Sequence, residues 1–89
     1  MAASPVPNPS RGAVSFDFEI PARVPMRLGV YDLRGRLVRT LVDEPAFEGR
    51  GVRSWDGTDS RGVRVPAGLY FVELRAGDLV ARTRFVRLD

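Results

Sequence analysis

WDGTDSRGVRVPAGLYFVEL, residues 55–74, sets a loop crowded with aspartate and glycine against a run of alternating apolar residues. The loop DGTDSRG (56–62) admits three readings: a metal-binding loop, a catalytic pocket or a bent connection. A calcium loop of the EF-hand type wants acids at its first, third and fifth positions and a closing glutamate at the twelfth. Here, counting Asp56 as the first position, Asp59 falls at the fourth, no glutamate follows in register, and Arg61 would repel a cation. Asp56 and Asp59 are thus poor candidate metal ligands. The bent connection fits better, because Asp and Ser side chains accept nearby backbone N–H groups and Gly supplies positive φ. After the loop, Tyr70, Val72 and Leu74 alternate with Phe71, Glu73 and Arg75, the period of a half-buried strand. Trp55, the only tryptophan, is expected to be buried as the aromatic that bridges a small β core.

The same period recurs upstream. VSFDFEI places Val14, Phe16, Phe18 and Ile20 on one face and Ser15, Asp17 and Glu19 on the other. PARVP (21–25) is expected to turn the chain, and MRLGVYD then alternates again, with Met26, Leu28 and Val30 inward and Tyr31 outward. In DLRGR, Gly35 stands where a tight hairpin needs positive φ. The apolar residues of LVRTLV share no single parity, which predicts a bulge. DEPAFEGRG (43–51) reads as a connection with Phe47 plugging the end of the core. AGDL makes the last hairpin, and VARTRFVRL closes the chain. No segment carries helical periodicity. Six or seven short strands separated by turn signals predict an all-β, antiparallel β-sandwich. Residues 1–12 read as a Pro-rich linker or edge strand, and residues 13–89 as one domain.

Composition narrows the chemistry. The 89 residues contain no His, Cys, Lys or Gln. The common general base, the thiol nucleophile, the usual zinc ligands and the Schiff-base amine are therefore missing. No Ser stands in a G-x-S-x-G elbow, so no catalytic residue and no cofactor are expected. All fourteen basic residues are Arg, yet the net charge is only +3 because eleven acids are interspersed. Scattered arginines without interleaved aromatics argue against nucleic acid as a partner. Arg82, Arg84 and Arg87 form the densest basic group and, with the outward aromatics Tyr31 and Phe71, are the candidate interaction residues. No apolar run approaches the roughly 18 residues of a membrane span. The opening MAASPVPNPS lacks the apolar centre of a secretory signal, so an extracellular role would need a signal on a longer parent chain.

PNPS, GVYDLRGRLVRTLV, WDGTDSRGVRVPAGLYFVEL and ARTRFVRL, in this order, resemble the immunoglobulin-like C-terminal modules of the type IX secretion sorting family. The same stretch is similar to the immunoglobulin-like domain of flagellar hook-capping proteins. The motif residues carrying the resemblance are Asn8, Pro9, Tyr31, Asp32, Gly35, Arg36, Trp55, Asp56, Gly57, Gly68 and Tyr70, and it covers nearly the whole chain. The resemblance implies a seven-stranded immunoglobulin-like (fibronectin III-like) sandwich within a larger secreted or cell-surface protein. It implies a non-catalytic role in secretion sorting or surface anchoring, with the secretion machinery, a passenger domain or a neighbouring subunit as protein partner. The alternative is a structural spacer or assembly domain, self-assembling in a hook scaffold or surface fibre.

Overall fold

A computed structural model describes residues 3–88, and they form five antiparallel strands without a helix. These are β1 (Ala3–Val6), β2 (Val14–Asp32), β3 (Leu37–Trp55), β4 (Gly68–Ala76) and β5 (Leu79–Arg87). All belong to one hydrogen-bonded sheet in the order β1-β2-β4-β5, with β3 paired along β2. Five strands stand where seven were expected, because β2 and β3 each run 19 residues through segments expected to be connections. PARVP does not reverse the chain. Pro21 and Pro25 lack the N–H that a continuous ladder needs, and the β2–β3 register shifts between Ile20 and Val24 and again before Met26. The result is a break in pairing within one continuing strand. On β3, residues 43–51 stay in the ladder opposite residues 18–27 rather than leaving it as a loop.

That break divides β2 into two working halves. Its first half pairs with β1, matching Ala3 to Phe18, and its second half pairs with β4, matching Leu28 to Leu74. Ring contacts join the two halves: Phe16 of β2 meets Phe85 of β5 at 5.2 Å, and Trp55 lies 5.6 Å from Tyr70 and 5.8 Å from Phe85. The inward residues expected from alternation are buried, including Val14, Phe16, Phe18, Ile20, Met26, Leu28, Val30, Val72 and Leu74. Each large apolar side chain removed from water contributes about 1.5–3 kcal/mol. The parity conflict in LVRTLV is resolved by two extra residues on β3. Leu28 faces Val42 and Gly29 faces Thr40, so Leu41 is the bulged residue; Val38 is skipped likewise between Arg39 and Leu37. Both lean on the core, as does Phe47, whose ring lies 5.7 Å from Phe18.

The N-terminal segment closes the other edge. Ser10 is buried, donates its N–H to the Val86 carbonyl at 3.0 Å and accepts from the Leu88 N–H at 2.7 Å. Asn8 Oδ1 accepts from the Val86 N–H at 2.9 Å. Among the described residues, only the end of β5 is bonded in this way.

Candidate interaction surface and the loop that supports it

The aspartate–glycine loop is built from the same turn as the β2–β3 hairpin. In the hairpin, the Asp32 N–H donates to Arg36 O and the Gly35 N–H to Asp32 O, both at 3.0 Å. Asp32 Oδ1 accepts from the N–H groups of Arg34 (2.9 Å) and Arg36 (3.0 Å). In the loop, the Asp59 N–H donates to Val63 O and the Gly62 N–H to Asp59 O, while Asp59 Oδ1 accepts from Arg61 (2.9 Å) and Val63 (3.0 Å). Asp-x-Arg-Gly thus appears twice, at 32–35 and 59–62, with matching hydrogen bonds and positive φ at Gly35 and Gly62. The spacing was visible in the sequence as a repeated D-x-R-G.

Both carboxylates are held below their ordinary value by these bonds. For Asp32 the Arg36 N–H dominates, and for Asp59 the Val63 N–H. Asp56 is lowered chiefly by the Thr58 hydroxyl, which donates to its Oδ1 at 2.5 Å. Asp56 and Asp59 therefore spend Oδ1 on the loop itself. Among the described residues, no three acidic, His or Cys side chains cluster to hold a metal.

The loop wraps a buried arginine. Arg87 is 3% exposed, so it does not share the outward face of Arg82 and Arg84. Two residues beyond Phe85, it points with that ring into the core. Its Cζ lies 5.8 Å from the centre of the Trp55 ring, and its guanidinium donates to Val65 O (3.3 Å) and Gly12 O (3.4 Å). A Cβ at Gly57 would overlap that guanidinium, and φ there is +85°. Trp55 is buried, and its indole N–H donates to Thr58 O at 2.7 Å. Arg39 Nη1 ties the loop to β3 through Thr58 Oγ1 (2.7 Å) and Asp59 O (3.1 Å). The Tyr70 hydroxyl donates to Pro66 O at 2.5 Å, and burial raises its pKa above the ordinary value. Asp56, Gly57, Trp55 and Tyr70 are accordingly parts of one structural corner, and Gly68 enters β4 beside it at φ +146°.

The remaining candidates meet on the outer face. Tyr31 and Phe71 are direct cross-strand partners, and Phe71 faces Arg84 on β5. Both rings are half-buried. One register step away, Glu73 pairs with Gly29 and Arg82. Although outward by alternation, Glu73 is 5% exposed, because Arg75 Nε donates to its Oε1 (2.7 Å) and Arg82 Nε to its Oε2 (2.6 Å). Burial alone would raise its pKa; the two guanidinium bonds outweigh that and lower it. Alternation in the sequence put Glu73 on the outward face with Phe71 and Arg75 and gave no sign of this ion-paired triad. A groove of about 450 Å³ lies over the face, bounded by the β2–β3 turn.

The edge of β5 completes the surface. Val86 bonds Asn8 and Ser10 on the side away from β4. Antiparallel backbone groups alternate sides, so those of Arg84, Arg82 and Val80 face the same way. Among the described residues nothing pairs with them there.

The all-β, antiparallel architecture is that of the immunoglobulin-like class of domains. The sequence signature of the FlgD Ig-like domain matches residues 6–79, and the chain belongs to that family. Two solved structures share the fold. One is PorZ of Porphyromonas gingivalis, an essential bacterial surface component of the type IX secretion system. Its match covers 98% of this chain and 11% of PorZ, at 20% identity and a TM-score of 0.71. The other is FlgD of Xanthomonas campestris, which acts in the hook capping essential for flagellar assembly. There the match covers 97% of this chain and 62% of FlgD, at 23% identity and a TM-score of 0.62. No curated protein sequence matches the chain. No helix is long and apolar enough to cross a membrane among the described residues.

Proposed function

We propose that this chain is a non-catalytic module of a secreted bacterial protein that serves secretion sorting or cell-surface anchoring. The observation carrying this reading is the open outer edge of β5, where the backbone groups of Val80, Arg82 and Arg84 have no strand partner among the described residues. Such an edge lets a receptor add a strand by main-chain hydrogen bonds, with side chains setting specificity. The fold likeness to PorZ supports a secretion context, and the position of the Asn8–Ser10 clasp supports coupling between the start of the module and its last strand. The partner is a protein of the export machinery, and the site of action is the cell exterior. The test is a fusion of residues 1–89 behind a reporter in a bacterium with type IX secretion. Export to the surface agrees with the reading, and a reporter retained in the periplasm counts against it.

Family membership favours a second reading, a spacer or assembly domain. Among the described residues β3 pairs with β2 alone, which leaves its other edge for a second copy. Size-exclusion chromatography with light scattering separates the two: a stable oligomer favours assembly, a monomer favours sorting.

A further inference from the structure

We propose that the outer-face groove binds an extended acidic segment of a partner protein. Its carboxylates are gripped by Arg34, Arg75 and Arg82, and its apolar side chains rest on Tyr31, Phe71 and Leu33. This rests on the protein-docking reading above and names the ligand class of its face.

Charge complementarity selects the sign. The groove is lined by Arg34, Arg75 and Arg82 against the single acid Glu73. Glu73 is buried with both oxygens occupied, so its charge offsets only one of the three arginines and the groove stays net positive. Arg75 and Arg82 use only Nε on Glu73, and among the described residues no acceptor meets their Nη groups. Glu73 therefore acts as a hinge pin that fixes two guanidiniums side by side while leaving donors free. Planar guanidinium forks match carboxylates in bidentate geometry. The Arg34 side chain, across the groove on the hairpin turn, has no ion pair among the described residues.

Shape and polarity favour a peptide. Tyr31 and Phe71 stand opposite each other in the ladder, and Gly29 lies two residues before Tyr31 on the same strand. A Cβ there would sit 3.2 Å from Leu37 Cδ1 and 3.3 Å from Tyr31 Cε1. Leu33 is 62% exposed on the rim. An exposed aliphatic side chain next to half-buried aromatic rings suits alternate apolar side chains of an extended segment; a polyanionic sugar has none to offer.

The experiment uses the whole chain and a short fluorescein-labelled peptide alternating Glu and Leu, read by fluorescence anisotropy. Saturable binding is expected, with no binding of the matching Arg–Leu peptide. Arg34→Glu should weaken binding about tenfold, by replacing an attraction with a repulsion. Phe71→Ala should weaken it by a similar factor with little change in salt dependence. Arg23→Glu changes net charge equally but lies on β2 outside the groove, and should leave binding within about twofold of the wild type. Circular dichroism confirms that each variant folds. Absence of saturable binding overturns the proposal, and so does equal weakening by Arg23→Glu. Displacement of the peptide by polygalacturonate at equal carboxylate concentration assigns the groove to a glycan. A protein dimer that excludes the probe assigns it to a second copy. Either result overturns the peptide assignment. A module that is exported but does not bind the peptide loses only the groove; one that binds but is retained loses only the export reading.

Discussion

Gly57→Ala tests whether the aspartate–glycine loop is a structural clasp around Arg87. Alanine at φ +85° costs about 1–2 kcal/mol in backbone strain alone. Its Cβ also displaces the Arg87 guanidinium, which then loses its place over Trp55, worth about 0.5–2 kcal/mol. The bonds to Val65 O and Gly12 O are long, at 3.3 and 3.4 Å, and contribute about 1 kcal/mol together. The total is about 2.5–5 kcal/mol. Gly62→Ala is the matched control, because φ is +82° there and no atom lies within 4 Å of the added Cβ. It should cost only the backbone strain, about 1–2 kcal/mol. Urea unfolding followed by the fluorescence of the single Trp measures both. A difference of about 1.5–3 kcal/mol corresponds to roughly 6–24 °C in melting temperature for a domain of this size. In an Arg87→Ala background, Gly57→Ala should fall back to the control value. Equal costs for Gly57→Ala and Gly62→Ala, within about 0.5 kcal/mol, would refute the reasoning.

Acid should destabilise the fold. Asp32, Asp56, Asp59 and Glu73 all have lowered pKa values, so the unfolded chain binds more protons as acidity rises. Their stabilisation is present above about pH 4 and is lost as pH falls through the folded-state values. Asp59→Asn keeps the turn's acceptor and should flatten the pH dependence of urea midpoints. Tyr70→Phe removes the hydroxyl bond to Pro66 O and should cost about 1 kcal/mol by the same unfolding assay. Millimolar calcium or a chelator should leave the melting temperature unchanged, because Asp56 and Asp59 already bind their own loop; a shift of several degrees would contradict that.

Alternation made the inward sets of β2 and β4 legible, since Phe16 and Leu74 each follow a strict two-residue period that one buried face imposes. The same rule placed Tyr31 and Phe71 outward and so together. It failed where local signals and tertiary pairing disagree. Pro21 and Pro25 read as a turn, yet pairing with β3 resumes at Val24 and with β4 at Met26, so the strand continues past them. Arg87 read with Arg82 and Arg84 as a basic group, although it shares Phe85's parity and its burial depends on carbonyls from residues 12 and 65. Glu73 read as outward by alternation, and its burial gave no sign because its neutralising arginines come from two strands. Ser10 gave no signal at all: its burial arises from pairing with a strand more than seventy residues away.

The central claim is that the last strand offers its open edge to a protein partner. Arg84→Pro removes one outward N–H at an edge position where proline leaves the β4 ladder intact. Export of a reporter fused to residues 1–89 should be seen for the wild-type module and lost for Arg84→Pro, with both modules folded by circular dichroism. Wild-type export by a folded Arg84→Pro module, or retention of the wild-type fusion in the periplasm, would contradict the account.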